Sequence, residues 1–534
     1  MRLLTTVAAL RCYLNKYRSE NKLIGSDDLA LDEATSWYQT AVGLVPTMGG
    51  LHQGHVSLIQ RAGQENSTVI VSIFVNPLQF GPNEDYERYP RTLEQDRQLC
   101  EQAGVNAIFA PTPEEMGIAQ KSIKESEVTQ VIPPSAMMES LCGRTRLGHF
   151  QGVATIVTKL LNLVQPERVY FGQKDGQQLA IIRRLVADLN LPTEVVACPT
   201  VRETSGLALS SRNQYLTAEE KEQAAVLYRG LRQAEAAFKA GDRHSNNLIA
   251  VVQKEVAMVS NVLVEYIELV EPTTLMSLEK IEEEGMLAIA ARLGSTRLID
   301  NTILRDRQPI IAIDGPAGAG KSTVARQVAS QLGLVYLDTG AMYRAVTWLV
   351  VQQGIAIDDD CAIAQLASQC TIKLTPTQDL QSPVQVFIND TDVTQAIRTI
   401  EVTSKVSAIA AQSSVRQALV KQQQNWGKKG GLVAEGRDIG THVFPDAEVK
   451  IFLTASVSER ARRRQQDFQK QGQPEVSLEQ LERDIAERDW KDSNRKVSPL
   501  QKAVDAIEIQ SDGLSAFEVA AQIAHHYQQR LSQW

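Results

Sequence analysis

Residues 309 to 323 read Pro309-Ile-Ile-Ala-Ile-Asp-Gly-Pro-Ala-Gly-Ala-Gly-Lys-Ser-Thr323. Ile310 to Ile313 is a short apolar run, the pattern of a strand buried on both faces of a parallel sheet. The pattern G-x-x-x-x-G-K-S follows at once, with Gly315, Gly320, Lys321 and Ser322, and Gly318 between the two glycines. Glycines there let the backbone curl with its N–H groups turned inward on a polyphosphate. Lys321 can reach the terminal phosphates, and the Ser322 hydroxyl can ligate Mg²⁺. Behind the loop Val324, Val328 and Leu332 recur four apart, and Gly333 stops the helix. Strand, loop and helix in this order separate a phosphate-binding loop from a glycine-rich turn. Such a loop normally opens its domain; here a whole N-terminal half precedes it.

A chain of 534 residues divides into two to four domains, at the usual ~100–200 residues each. With 43% hydrophobic and 22% charged residues the composition is that of an ordinary globular protein. A net charge of −8 argues against a nucleic-acid platform, which would carry a basic face. The six cysteines (Cys12, Cys100, Cys142, Cys198, Cys361 and Cys370) include no C-x-x-C pair and read as buried thiols in a reducing compartment. Met1-Arg-Leu-Leu-Thr-Thr-Val7 lacks the apolar core of a signal peptide. No stretch approaches the ~20 apolar residues of a membrane span. The expectation is a cytoplasmic protein with neither a membrane nor a nucleic acid as partner.

In the first half, residues 7 to 20 form an amphipathic helix and residues 21 to 40 a polar segment of no clear role. The strand Ala41–Val45 leads into Pro46-Thr-Met-Gly-Gly-Leu-His-Gln-Gly-His55 and a helix carrying Val56, Ile59 and Ala62. A strand over Val69–Val75, a helix over Thr92–Ala103 and a strand over Ala107–Phe109 continue a parallel α/β alternation, whose ligands sit at the carboxyl ends of strands. His52-x-Gly-His55 lies at such an end, on the positive terminus of a helix, and suits a nucleotide's phosphates. As a metal site it is weaker, because the spacing is not i, i+4 and no acidic residue lies between. Further strand ends deliver Lys174 and Asp175, then Ser210, Ser211 and Arg212.

The stretches Pro46–His55, Phe74–Phe80, Gly148–Pro166, Phe171–Leu179 and Pro199–Asn213 resemble pantothenate synthetase, the pantoate–β-alanine ligases. The resemblance covers roughly residues 1–20 and 41–304. It leaves residues 21–40 as an insertion, Gly176 where an aromatic is usual, and Gln173 where Glu is frequent. It implies adenylation of pantoate by MgATP followed by attack of β-alanine, with no enzyme nucleophile. By residue match, ATP contacts are Met48, Gly49, Gly50, Leu51, His52, Gln53, Gly54 and His55, then Gly172, Gln173, Lys174 and Asp175, then Val201, Leu209, Ser210, Ser211 and Arg212. His52, His55, Lys174 and Arg212 carry the catalysis, with His55 as proton donor. Gln79 and Gln178 bind pantoate, and Gln79 also lies near β-alanine. Gly176 is expected to loosen packing under the ATP site. Residues 214–300 read as charged and helical with a β-like run over Val262–Leu269, a small closing subdomain in which Glu282–Glu284 is a solvated turn.

In the second half, Gly315–Thr323, Asp338–Arg344, Glu435–Gly440 and Arg488-Asp-Trp-Lys-Asp-Ser-Asn-Arg495 resemble bacterial cytidylate kinase over about 305–534. The insert around 370–400, ending at Arg398, distinguishes it from adenylate kinases. The resemblance implies ATP on Gly315, Gly318, Gly320, Lys321, Ser322 and Thr323, with Lys321 catalytic and Ser322 the metal ligand. It places CMP or dCMP on Thr339, Arg344, Ser407, Arg416, Arg437, Asp438, Arg488, Asp492 and Arg495. Arg344 and Arg437 hold the phosphate, with Arg488 as a further candidate, and Asp438 or Asp492 helps to select cytosine. Ser407 and Arg416 share one helix. Arg460–Arg464 reads either as a lid over ATP or as a solvated helix face.

The expected fold class is α/β: a Rossmann-like nucleotidyltransferase-type domain (about 1–190) with a small C-terminal subdomain (about 191–304), then a P-loop nucleoside monophosphate kinase domain (305–534). The expected cofactors are ATP and Mg²⁺, the partners small-molecule substrates, and the assembly a homodimer through the ligase domain. Two rivals stand against this reading. The Gln79/Gln178 pair and the arginine set speak against a transferase fused to some other kinase. Lys321, Arg437 and Arg495 speak against a non-enzymatic nucleotide sensor.

Overall fold

The computed structural model describes residues 1–27, 41–82, 84–118, 128–375, 384–470, 476–494 and 499–532. They divide into two compact units, Met1–Asp306 and Arg307–Trp534. No helix among the described residues is long and apolar enough to cross a membrane.

The first unit holds six parallel strands: β1 (Arg2–Leu4), β2 (Val42–Thr47), β3 (Thr68–Ile73), β4 (Ala107–Phe109), β5 (Arg168–Gly172) and β6 (Glu194–Cys198). They lie in the order β1-β4-β3-β2-β5-β6. Strands buried on both faces lose the apolar–polar alternation, and here successive residues feed two different cores. Leu44 and Ile70 pack with the helix His149–Val164. Val45 and Val71 pack with Leu58, Ile59 and Ala62 of the helix Gln53–Glu65. From β2 the chain winds outward through β3 and β4, then crosses back to β5 on the other side of β2. The crevice at the carboxyl ends of β2 and β5 is the switch point at which open α/β sheets bind ligands. Gly152 brings the helix His149–Val164 against the turn Pro77–Gln79, since a Cβ there would collide with the Leu78 carbonyl.

The expected helix over 7–20 is longer, running Val7–Asp27; residues 28–40 of the inferred insertion lie outside the described residues. The region read as mostly helical carries three helices, Ala218–Ala224, Val226–Lys239 and Ser245–Val256, and an antiparallel sheet of β7 (Val262–Val270), β8 (Glu284–Leu293) and β9 (Thr296–Arg305). β8 escapes a period-two reading because it is buried almost continuously from Gly285 to Ala291. Its hairpin closes through Gly294 and Ser295, with Leu293 opposite Thr296 and Gly294 at φ 56°. Glu284, expected in a solvated turn, is the first residue of β8 and pairs with Arg305 across the ladder.

The second unit contains β10 (Gln308–Asp314), β11 (Val335–Asp338), β12 (Ile372–Thr375), β13 (Gln385–Ile388), β14 (Thr391–Asp392), β15 (Gly430–Gly436), β16 (Val449–Thr454) and β17 (Ile507–Gln510). Five of them form a parallel sheet in the order β11-β15-β10-β16-β17, and β12-β13-β14 make a small antiparallel sheet. Ile310–Ile313 is wholly buried at the centre of the large sheet. Gly315 begins the loop at φ 149°, and a Cβ on it would strike the Leu453 carbonyl of β16. The helix Lys321–Leu332 ends on Gly333 in the left-handed conformation. Ser407 and Arg416, expected on one helix, lie on two, Ile400–Ala411 and Ser413–Gly427. The break is Gln412, whose backbone is extended at φ −70°, ψ 127°.

Candidate active sites

The first site grows out of the end of β2. His52 caps the helix Gln53–Glu65: its Nδ1 accepts from the Gly54 N–H at 3.1 Å, and His55 Nδ1 faces the His52 N–H at 3.4 Å. With each Nδ1 turned to a donor, the ring protons reside on Nε2. Burial pushes His52 down to about 4 and His55 down to about 3, with Lys174 adding repulsion to both. Both rings are therefore neutral at pH 7. Each ring then offers a neutral Nε2–H in the free enzyme, the form in which His55 meets the proton-donor role expected of it. The neighbouring amides serve the loop itself. Buried Asp96 accepts from the Gly50 N–H at 3.0 Å and the Leu51 N–H at 2.8 Å.

Lys174 follows β5. Its Nζ donates to the Leu209 carbonyl at 3.1 Å, and Asn301 of β9 donates to the carbonyls of Gln173 and Lys174 at 3.0 and 2.8 Å. Burial lowers the Lys174 ammonium to about 8 against the pull of Asp300. Asp175 caps the next helix by accepting from the Gln178 N–H at 3.0 Å. The looseness expected at Gly176 is not there: Met286 Sδ and Asn301 occupy the space an added side chain would need. Arg212 lays its guanidinium fork on Asp85 at 2.8 and 2.9 Å, and Ser211 Oγ lies 3.1 Å from the Tyr89 hydroxyl. The Gln79 amide donates to Met48 Sδ at 2.8 Å and accepts from Asn76 at 3.0 Å.

These groups share one cavity of about 540 Å³. Of the residues read from sequence, Met48, His52, Gly54, His55, Gln79, Gly172, Lys174, Asp175, Gln178, Val201, Leu209, Ser210, Ser211 and Arg212 line it. Gly49, Gly50, Leu51, Gln53 and Gln173 do not; the first three form the turn around Asp96, and the side chains of Gln53 and Gln173 face solvent. Residues missed from sequence include Asp85, Tyr89, Arg146 and His149 on the wall and Asp96 behind it. His149 meets the Gln79 carbonyl at 2.8 Å, and Arg146 binds Glu84 through Nε at 2.7 Å and Nη2 at 2.6 Å. Arg144, Arg146 and His149 fall within six residues of one another, so the sequence did carry a signal.

In the second site Lys321 is buried, and its Nζ donates to the carbonyls of Gly315 and Pro316, each at 2.7 Å. Burial, then Arg437, hold its proton affinity well below that of an ordinary lysine. Ser322 Oγ donates to Glu435 at 2.9 Å, the Tyr336 hydroxyl donates to the same carboxylate, and Thr339 Oγ1 donates to the Glu435 carbonyl at 2.7 Å. Burial and nearby Asp338 raise Glu435. Burial also raises Asp314 to about 6, although the Ile439 and Gly440 amides each bind it at 2.7 Å.

The arginines converge. Arg344 pairs with Asp338 at 3.1 Å, and Arg437 with Asp492 at 2.8 Å. Burial and the positive field of Arg437, Arg464 and Arg344 depress Arg488. Ser407 is exposed on its helix, Gly318 and Gly320 lie in the loop, and Thr323 is exposed in the first turn after it. Arg495 lies outside the described residues. Arg416 and Asp438 form a buried ion pair. Removing one member of such a pair strands the other charge, so Arg416→Met is expected to lower stability in urea denaturation by about 3–5 kcal/mol. Adding Asp438→Asn should recover part of that loss; an undiminished transition in the single variant would refute the assignment.

Fold and sites together define a chain of two α/β enzymes that handle nucleotides by different means. Comparison with known proteins names them. The family model of pantoate-beta-alanine ligase matches residues 13–303, and that of cytidylate kinase matches residues 311–529. A bifunctional pantoate ligase/cytidylate kinase from a Nostoc species is 83% identical over 534 residues, 100% of both chains. One from Trichodesmium erythraeum is 55% identical over 528 residues, 98% of this chain and 97% of its own. A pantothenate synthetase structure from Thermus thermophilus is 43% identical and covers 57% of this chain and 99% of its own, with a TM-score of 0.49. The chain belongs to the bifunctional pantoate ligase/cytidylate kinase family: it is an ATP-using pantoate–β-alanine ligase followed by an ATP-using cytidylate kinase.

Proposed function

We propose that the first cavity joins (R)-pantoate to β-alanine through pantoyl adenylate. The pantoate carboxylate attacks the α-phosphorus of ATP and expels pyrophosphate. The β-alanine amine then attacks the acyl carbon and expels AMP, giving pantothenate. The convergence of His52, His55, Lys174 and Arg212 on a cavity that also holds Gln79 and Gln178 supports this reading. The task is to align two anions and to meet the charge that develops on the phosphates, so fixed donors suffice and no nucleophile is needed. His52 and His55 offer neutral N–H groups, Lys174 and Arg212 offer charge, and the two glutamines orient pantoate. The direct test is AMP release from the purified chain, which must require both pantoate and β-alanine.

Lys174 gives this site its pH signature. It is charged below about 8 and neutral above, so kcat/KM for ATP, which reports the free enzyme, should be level near pH 7 and fall about tenfold per pH unit on the alkaline side. A profile level to pH 10 would show that Lys174 does not act as a cation.

The second site phosphorylates CMP or dCMP, with Arg344, Arg437 and Arg488 on the acceptor phosphate, Arg416 with Asp438 or Asp492 on base and ribose, and Lys321 on the phosphates of ATP. Arg495 joins the acceptor set by family resemblance. Alignment and charge neutralisation perform the transfer, with no covalent intermediate. Ser322 fits a place for Mg²⁺: its hydroxyl lies against the Glu435 carboxylate, and hard oxygen donors with substrate phosphates suit this ion. When bound, Mg²⁺ would neutralise charge on the transferring phosphoryl group. The test is ADP release on addition of CMP. The boundary between the activities is placed at residues 304/305, with the ligase's Rossmann-like part near 1–190 and its subdomain near 191–304. The protein acts in the cytoplasm as a homodimer through the ligase unit; a monomeric mass in light scattering would refute the dimer.

A further inference from the structure

The helix Val457–Lys470 reaches the phosphate loop from behind. Arg460 is 4% exposed, and all three of its guanidinium nitrogens are engaged. Nε donates to the Ala455 carbonyl at 3.0 Å, Nη1 to the Ala317 carbonyl at 3.1 Å and to Asp489 at 2.9 Å, and Nη2 to Asp489 at 2.5 Å. Its stem runs beneath Gly318, where an added Cβ would meet it at 3.3 Å. One turn on, Arg463 donates to the Ala319 carbonyl at 3.4 Å and is itself fixed by Ser511, through Oγ at 3.1 Å and the carbonyl at 2.7 Å.

The two arginines thus hold alternate carbonyls of the loop. A loop that turns its N–H groups toward a polyphosphate must turn carbonyls the other way, and buried carbonyls need donors. Cationic donors polarise those peptides in the sense that favours an anion on the opposite side. Asp489, which locks Arg460, neighbours Arg488 on the helix Leu478–Asn494, and Asp492 of that helix binds Arg437. One turn of this helix therefore touches both the brace of the donor loop and the acceptor arginines.

We propose that Arg460, locked by Asp489 and seconded by Arg463, is a positioning residue of the kinase that holds Gly315–Ser322 in its anion-binding form from behind. This rests on the reading of that loop as the donor-phosphate site. It assigns the run Arg460–Arg464 a part that neither a lid nor a solvated face describes.

The experiment uses the full chain, whose ligase activity reports that the protein has folded. Lysine keeps the charge of Arg460 but cannot reach three partners at once. Arg460→Lys is expected to raise KM for ATP about tenfold and lower kcat by a similar factor, as charge-assisted contacts of this strength imply. KM for CMP and the ligase rate should stay within about twofold of the parent chain, which a general loss of packing would not allow. Arg463→Gln, at a less buried position, should shift KM for ATP in the same direction by a smaller factor. Unchanged ATP constants in Arg460→Lys would overturn the proposal, as would an equal rise in KM for both nucleotides. Lys321→Ala, assayed in parallel, separates the two readings. If it keeps kinase activity, the loop assignment falls and the brace with it. If it loses activity while Arg460→Lys is silent, the brace alone falls.

Discussion

Lys321→Ala is expected to reduce cytidylate kinase activity by about 10³-fold or more while leaving the ligase rate of the same chain within about twofold. The size of the effect follows from where the amine sits. Lys321 is buried, and it bridges the carbonyls of Gly315 and Pro316. In a water-poor pocket the attraction between an ammonium and a phosphate oxygen is far larger than in solvent. Burial and Arg437 depress its proton affinity in the free enzyme, and a bound polyphosphate would supply the anion that restores it. Alanine removes both the charge and the donor that steadies the first two peptides of the loop. The readout is CMP-dependent ADP release, with pantoate- and β-alanine-dependent AMP release from the same sample as the internal standard. A tenth of the parent kinase rate surviving, or loss of both activities together, would contradict the assignment.

His55→Ala should give the mirror image, a fall of about 10²–10³-fold in ligase kcat/KM with the kinase untouched, the size seen when one preorganised donor is lost. His55 contributes a neutral N–H held in place by the helix cap, with its Nδ1 facing the His52 amide. That contact is long at 3.4 Å, so the substitution should cost under about 1 kcal/mol in stability, at the low end for a cap. His55→Gln keeps a donor of similar reach and is expected to recover part of the rate. Because burial keeps His55 neutral down to about 3, the ligase should show no acid limb near pH 6.5 belonging to this residue. An acid limb there that vanished in His55→Gln would mean that the imidazolium form does the work.

How far the sequence could be read depended on how local each feature was. The loop after β10 was legible because strand, glycines, lysine and helix follow one another without a gap. The ends of β2 and β5 were legible for the same reason, as was the ordered recurrence of polar clusters at strand ends. Groups whose roles come from distant partners were not legible. Asp85 is 127 residues from the Arg212 it binds, and Asn301 reaches the Lys174 carbonyl from 127 residues away. Gly176 looked like a vacancy until β8 brought Met286 over it. β8 itself lacked the alternation that marks a strand, because nearly all of it is buried. The histidines were found by spacing, but their protonation depends on burial, which spacing does not report.

The contact between Asp96 and the amides of Gly50 and Leu51 has a consequence for how the two enzymes meet the same nucleotide. In the ligase, a carboxylate built into the chain already fills the turn ahead of His52, so the turn has its working shape before ATP arrives. That turn should meet the nucleotide without changing shape. In the kinase, Lys321 rests on two carbonyls of its own loop and must swing to the incoming phosphates, so capture there includes a rearrangement. The backbone ahead of His52 should therefore stay as it is when ATP binds, whereas the loop at Gly315 should shift, although a single polypeptide carries both.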